Sequence, residues 1–261
     1  MRTPIYKLDA FASRRFTGNP AAVLPLESFP DDTTMQAIAA ENNLAETAFI
    51  VRADPDYRIR WFTPTVEVPF CGHATLAAAA VIMERLEPKR ERVVFHSASG
   101  ALIVERRDSN YVMNFPARRV ERADGTELTA ILGAQPLEVH SDNLNNYVVL
   151  FENAATVRKM NPNLTAIAQL KRTGVIVTAP GDEGYDFVSR YFAPGKGIPE
   201  DPVTGGAHCA LTPFWAARLG RSEFHAYQAS RRGGEVRCRL LGDRVELQGS
   251  VVFYLEGEVE F

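Results

Sequence analysis

The chain has 261 residues, 46% of them hydrophobic and 23% charged, with a formal net charge of −3. With a pI near 6.0, this balance gives no electrostatic case for nucleic acid or an anionic membrane as partner. The three cysteines, Cys71, Cys209 and Cys238, are too few and too scattered for a disulfide framework, and their odd number fits a reducing compartment.

The first residues, Met1-Arg2-Thr3-Pro4-Ile5-Tyr6, lack the apolar core of a signal peptide. The apolar run from Leu76 to Met83 is too short to span a bilayer. Cytoplasm is the expected location. Ile5 to Phe11 reads as a strand, Gly18-Asn19-Pro20 as a turn, and Ala21 to Leu24 as a short strand. Asp31-Asp32-Thr33 opens a helix with acidic residues in its first turn, ending near Glu41-Asn42-Asn43. Glu46 to Val51 and Tyr57 to Phe62 are strands. A central helix with a small face (Ala74, Ala77, Ala78) is predicted from about Gly72 to Leu86. Val93 to His96, Ala101 to Arg106 and Tyr111 to Phe115 follow as strands, and Pro116-Ala117-Arg118-Arg119 reads as a crossing between lobes.

Leu137 to His140 and Tyr147 to Phe151 are predicted strands, with short helices in 154–170. Gly174 to Thr178 and Asp186 to Phe192 are strands, and a second central helix runs from about Gly206 to Leu219. Glu223 to Gln228, Glu235 to Leu240, Arg244 to Gln248 and Val251 to Val259 complete the series. The short turns predict largely antiparallel sheets, each wrapped round a helix.

The chain repeats itself. Arg60-Trp61-Phe62-Thr63-Pro64, then Cys71-Gly72-His73-Ala74, is echoed by Arg190-Tyr191-Phe192-Ala193-Pro194, then Thr204-Gly205-Gly206-Ala207-His208. Phe62 and Phe192 stand about 130 residues apart, and Phe95-His96 and Phe224-His225 keep nearly the same spacing. The repeat predicts an α+β fold of two similar lobes, 1–116 and 117–261, with the C-terminal strand a candidate to complete the first. It also predicts two buried helices whose N-termini address one cleft, an arrangement suited to a small anionic substrate.

Gly72-His73 and Gly205-Gly206 sit where those helices begin, where free N–H groups and the helix dipole attract a carboxylate or phosphate. Glu46 opens an apolar strand, so partial desolvation could raise its pKa and make it a general acid/base, against the alternative of a solvated surface group. Asp201, ahead of the second helix, is read as a turn residue, a cap or a partner for a histidine. His73 and His208 are each open to a structural role or to proton shuttling. Zinc is disfavoured: adjacent residues such as His208 and Cys209 point about 100° apart on a helix, and no C-x-x-C occurs. The expectation is no metal.

A set of segments resembles the PhzF family of phenazine-biosynthesis-like isomerases. They are Leu8-Asp9-Ala10-Phe11 with Phe16-Thr17-Gly18-Asn19-Pro20; Ala45-Glu46-Thr47-Ala48-Phe49; Arg60 to Pro64 with Glu67 to Leu76; and Asp201 to Leu211. The resemblance implies a diaminopimelate-epimerase-like fold, each lobe a mostly antiparallel curled sheet round a central helix, with the site in the cleft. It implies isomerisation without a cofactor, similar to that of trans-2,3-dihydro-3-hydroxyanthranilate, with Glu46 as acid/base. It also implies substrate contacts from Gly72, His73, Asp201, Gly205 and Gly206. Family members often carry Ser where this chain has Gly206, so the substrate is expected to differ. The partner expected is a small cyclic or unsaturated carboxylate, with a homodimer as a candidate assembly. The rivals are a racemase or epimerase with a cysteine base, and a catalytically silent carboxylate-binding protein.

Overall fold

Residues whose side chains alternate between core and solvent make most of this chain strand, and the central exceptions are two alanine-rich stretches that are apolar on every side. In the computed structural model, which describes residues 2–261, the chain divides into two units, Met1–Asn114 with Gln248–Phe261, and Phe115–Leu247. No helix among the described residues is long and apolar enough to cross a membrane.

The first unit contains strands β1 (Arg2–Ala10), β2 (Asn19–Leu26), β3 (Glu46–Ala53), β4 (Asp56–Phe62), β5 (Glu67–Val68), β6 (Arg92–Ser97), β7 (Gly100–Arg107) and β8 (Asn110–Pro116). Helix α1 (Asp32–Asn42) follows β2, and α2 (Gly72–Val81) follows β5. The C-terminal strand Val251–Glu260 pairs antiparallel with β1, so the end of the chain completes this unit's sheet. Asp31 caps α1, its carboxylate accepting from the Thr34 amide at 2.9 Å, and Asn43 closes the helix in the left-handed conformation. Helix α1 lays Met35 and Ala39 on a cluster with Ile5, Ala22, Leu24, Phe49 and Phe62. Helix α2 has no polar face. His73 to Val81 are all buried, and the helix packs against β1, β2, β3 and β7.

The second unit contains β9 (Val120–Arg122), β10 (Glu138–Asp142), β11 (Asn146–Leu150), β12 (Gly174–Pro180), β13 (Phe187–Ala193), β14 (Ile198–Asp201), β15 (Glu223–Gln228), β16 (Gly234–Leu241) and β17 (Arg244–Gly249). Short helices α3 (Leu128–Leu132), α4 (Ala154–Lys159) and α5 (Leu164–Ala168) cover one apolar cluster that includes Val149, Phe151, Val177 and Phe192. Helix α6 (Gly205–Leu219) buries Ala207 to Thr212, Phe214 and Trp215, with Trp215 stacked on Phe187 of β13.

Four joins among the described residues are parallel: β2–β3 and β4–β6 in the first unit, β11–β12 and β13–β15 in the second. A helix intervenes at each join, because parallel neighbours need a crossover that a tight turn cannot supply. The joins therefore repeat: strand–α2–strand in one unit matches strand–α6–strand in the other. Three further details depart from the sequence reading. The helix predicted to run from Gly72 to Leu86 is α-helical only to Val81, and Ile82–Leu86 widens into a π-turn closed by the Glu87 amide on the Ile82 carbonyl. The second central helix starts one residue early, at Gly205. Strands β9 and β14 and helix α3 were too short to announce themselves by periodicity.

Candidate active site

The turn between β1 and β2 decides where the first cluster forms. Gly18 has φ +69°, and a Cβ there would lie 2.3 Å from the Ala10 carbonyl oxygen, so only glycine fits. The turn delivers Asn19, fully buried, as the first residue of β2. Parallel pairing of β2 with β3 sets Ala21 opposite Glu46, placing Glu46 at the mouth of β3. Helix α2 then begins beside them. Cys71 precedes it in extended conformation, its carbonyl accepting from the Thr75 hydroxyl at 2.5 Å, and Gly72 and His73 form the first turn.

These segments bring four side chains together. His73 Nε2 lies 3.2 Å from Glu46 Oε2. His73 Nδ1 lies 3.2 Å from Asn19 Nδ2 and 3.5 Å from Cys71 Sγ. Glu46, Cys71, His73 and Asn19 are all buried. Burial pushes the His73 pKa down to about 4, against a weaker opposing pull from the Pro20 carbonyl, so the imidazole is neutral at pH 7. It can hold or hand on a proton but supplies no positive charge. Glu46, Cys71 and His73 offer ligand atoms within 4.8 Å of one another. However, Glu46 approaches Nε2 while Cys71 approaches Nδ1, and one ion cannot lie on both ring lone-pair axes. A carboxylate and a thiol thus flank opposite nitrogens of the ring.

The second cluster forms at the start of α6. A register shift between Tyr191 and Ala193 sets Asp201 opposite Tyr191 at the end of β14. Thr204 stands at the cap position without capping a backbone amide; its hydroxyl donates to Asp201 Oδ2 at 2.5 Å. Asp201 thus holds Thr204. Gln228, fully buried on β15, accepts from the Thr204 amide at 2.8 Å and donates to the Asp201 carbonyl at 2.7 Å. Gly205 and Gly206 open the helix. A Cβ on Gly206 would stand 2.9 Å from an Arg118 guanidinium nitrogen, so the missing side chain makes room for a cation. Arg118 Nη1 lies 3.7 Å from the buried carboxylate of Asp142, which is itself held by the Leu144 and Asn146 amides. His208 Nδ1 is 2.8 Å from the Thr204 carbonyl, and burial pushes its pKa down to about 4.

The residues singled out from sequence thus fall into two sets: Glu46, Gly72 and His73 in the first unit, Asp201, Gly205 and Gly206 in the second. Sequence reasoning missed Asn19, Arg118 and Gln228 as members. Asn19 had a signal in the Gly18-Asn19-Pro20 segment; Arg118 and Gln228 had none, standing 88 and 24 residues from Gly206 and Thr204, which they meet at the α6 start.

The sequence model of the family described as phenazine biosynthesis-like protein (PhzC-PhzF) matches residues 8–257. A Pseudomonas aeruginosa protein named as an uncharacterized isomerase is 48% identical over 260 residues, covering 99% of each chain. The crystal structure of a PhzF-family protein from Enterococcus faecalis is 41% identical, covers 100% of both chains and superposes with a TM-score of 0.97. A probable proline racemase from Agrobacterium radiobacter is 11% identical and covers 99% of this chain and 93% of its own, with a TM-score of 0.68, a likeness of fold alone. The α+β fold is accordingly of the diaminopimelate-epimerase-like type.

Proposed function

The chain belongs to the phenazine biosynthesis-like (PhzC-PhzF) family, and from that premise we propose that it is a cofactor-independent isomerase of a small cyclic or unsaturated carboxylate. The observation that carries this reading is the buried Glu46 carboxylate 3.2 Å from a neutral His73 at the first turn of α2. Glu46 takes a proton from a substrate carbon, the electron pair passes into the adjoining unsaturated system, and Glu46 returns the proton to another carbon. Gly72 leaves the backbone at the α2 start open to a ligand, since the nearest atoms to a Cβ there are 3.9 Å away. At the α6 start, Gly205 and Gly206 offer backbone N–H groups, Asp201 fixes Thr204, and Arg118 adds a cation; this is a carboxylate-binding end.

A cysteine base is the weaker reading. Burial pushes the Cys209 thiol up to about 11 and the Cys238 thiol up to about 12, so neither is a base at neutral pH. Only Cys71 stands beside the Glu46 cluster.

The test is a panel of small unsaturated carboxylates, including trans-2,3-dihydro-3-hydroxyanthranilate, incubated with the protein in deuterated water and followed by NMR. Deuterium entering a carbon position of one member, and its loss in Glu46→Gln, is the expected result. Exchange that persists in Glu46→Gln but stops in Cys71→Ser would transfer the role to the thiol, and binding without exchange would leave a carboxylate-binding protein.

A further inference from the structure

Arg118 is tied to α6 at one end and to a buried carboxylate at the other. Its amide donates to the Cys209 carbonyl of α6 at 3.0 Å, and its guanidinium stands where a Gly206 side chain would be. Pairing of β9 with β10 sets Val120 opposite Asp142, and Arg118 Nη1 lies 3.7 Å from Asp142 Oδ2. That gap keeps the Coulomb attraction but is too long for a hydrogen bond. Asp142 is satisfied without one. Its Oδ1 accepts from the Leu144 amide at 2.9 Å and the Asn146 amide at 2.8 Å, and its Oδ2 accepts from Asn146 Nδ2 at 2.7 Å. The donors behind it run in one direction. Lys196 Nζ donates to the Tyr191 hydroxyl at 3.0 Å, the hydroxyl donates to Asn146 Oδ1 at 3.1 Å, and Asn146 turns its Nδ2 to Asp142. Gly174 leaves room for this chain, since a Cβ there would lie 2.4 Å from Asn146 Oδ1. The Arg118 side chain is only 19% exposed, yet among the described residues none accepts a hydrogen bond from its guanidinium. A sheltered guanidinium with its N–H donors open is satisfied best by a planar, ionised acceptor that takes them in pairs.

We infer that Arg118 is the residue that selects an ionised carboxylate over its neutral analogues at the α6 start, and that Asp142 is its positioning residue. The inference rests on the reading of the protein as acting on a small carboxylate, and it names the group that recognises the charge. Asp142 holds the guanidinium by charge alone, so the donors remain for the ligand. A carboxylate offers that fork two oxygens in one plane, whereas an amide offers one acceptor oxygen and an NH2 group that opposes the donors. Backbone N–H groups donate to a carboxylate or an amide oxygen alike, so most of the discrimination falls to the guanidinium. The fold keeps Arg118 ready for this. Its backbone is fixed on α6, and its counter-charge is fixed by β11 and β13, so little reorganisation is needed when an anion arrives.

The experiment uses the full chain and two probes of one shape, 2-aminobenzoate and 2-aminobenzamide, with dissociation constants read by titration calorimetry at neutral pH. Wild type is expected to bind the acid at least about tenfold more tightly than the amide. Arg118→Gln is expected to weaken the acid by that factor while the amide stays within about twofold, a split that a general loss of structure would not produce. Asp142→Asn removes the charge, keeps an oxygen for the Leu144 and Asn146 amides, and is expected to weaken the acid about threefold or more. The double variant is expected to bind the acid as Arg118→Gln alone does, because Asp142 acts only through Arg118. Wild type that shows no preference for the acid overturns the inference, as does a folded Arg118→Gln protein that keeps the wild-type preference. Losses that multiply in the double variant overturn the role of Asp142. Should Asp142→Asn fail to fold, a crystal structure of wild type with 2-aminobenzoate decides. Arg118 on the carboxylate, with Nη1 still within about 4 Å of Asp142, is expected, and a guanidinium swung clear of Asp142 overturns its positioning role. An Arg118-dependent preference in a protein that exchanges no deuterium keeps this inference and overturns the isomerase reading. Exchange in a protein whose preference is indifferent to Arg118 does the reverse.

Discussion

The starts of α2 and α6 are built on one plan and finished with different chemistry. Each is a glycine at the head of a buried helix, reached from a strand through a short extended segment, with a buried histidine pushed down to about 4 in its first turns. At α2 the neighbours are a carboxylate, a thiol and an amide: Glu46, Cys71 and Asn19. At α6 the neighbours fix geometry and charge: Gln228 and Asp201 clamp Thr204, and Arg118 occupies the space beside Gly206. A duplicated helix start provides N–H groups twice, but the side chains around it differ with the strand residues that pack against it. The difference teaches that the repeat supplies the helix start, and the side chains arriving from distant strands supply its distinct chemical surroundings.

The largest effect that would break this contrast lies in the carboxylates. Glu46→Gln is expected to slow carbon–deuterium exchange by roughly 10²–10⁴-fold while circular dichroism stays unchanged. Asp201→Asn, which still accepts from Thr204, is expected to cost less than about tenfold in the same assay. Equal losses would erase the division of labour between the two helix starts.

The two histidines provide a test in stability. Each has a folded pKa of about 4 against 6.5 when unperturbed, so at pH between these values the unfolded chain binds the protons that the folded chain refuses. Their contribution is complete above pH 6.5 and is lost as pH falls towards 4, by about 3 kcal/mol for each histidine. Urea unfolding at a series of pH values should show this decline, and His73→Gln or His208→Gln should each remove part of it. A free energy that stays flat from pH 7 to 4.5 would show that these imidazoles are not held neutral.

The glycines separate the two starts more finely. Gly72→Ala meets nothing closer than 3.9 Å and is expected to change stability by less than about 0.5 kcal/mol. Gly206→Ala displaces the Arg118 guanidinium and is expected to cost about 1 kcal/mol and to weaken carboxylate affinity, read by thermal unfolding and ligand titration. The smallest effect expected is at the thiols. Cys209 and Cys238, held protonated by burial, should resist iodoacetamide in the folded protein at pH 8. Cys209→Ser should leave exchange within a few-fold, and Cys71→Ser should retain substantial exchange because a hydroxyl keeps a polar group beside His73 Nδ1. Labelling of Cys209 without unfolding would contradict its burial.

Local information reached far in this chain because its signals are short-range. Alternation named the long strands, the Asp31 cap marked the start of α1, and alanine on every side announced α2 as buried before any contact was known. The internal repeat gave the paired helix starts, and the quoted segments gave Glu46, Gly72, His73, Asp201, Gly205 and Gly206 as residues to watch. Sequence could not say that Asn19 touches His73, that Gln228 clamps Thr204, or that Arg118 fills the place of a side chain at Gly206. Those contacts join residues 24 to 88 positions apart, brought together by strand register and by the turn at Gly18. Chemistry common to every histidine is encoded in the residue itself, but which of its nitrogens holds the hydrogen depends on the neighbours that folding delivers, and only the tertiary structure decides that.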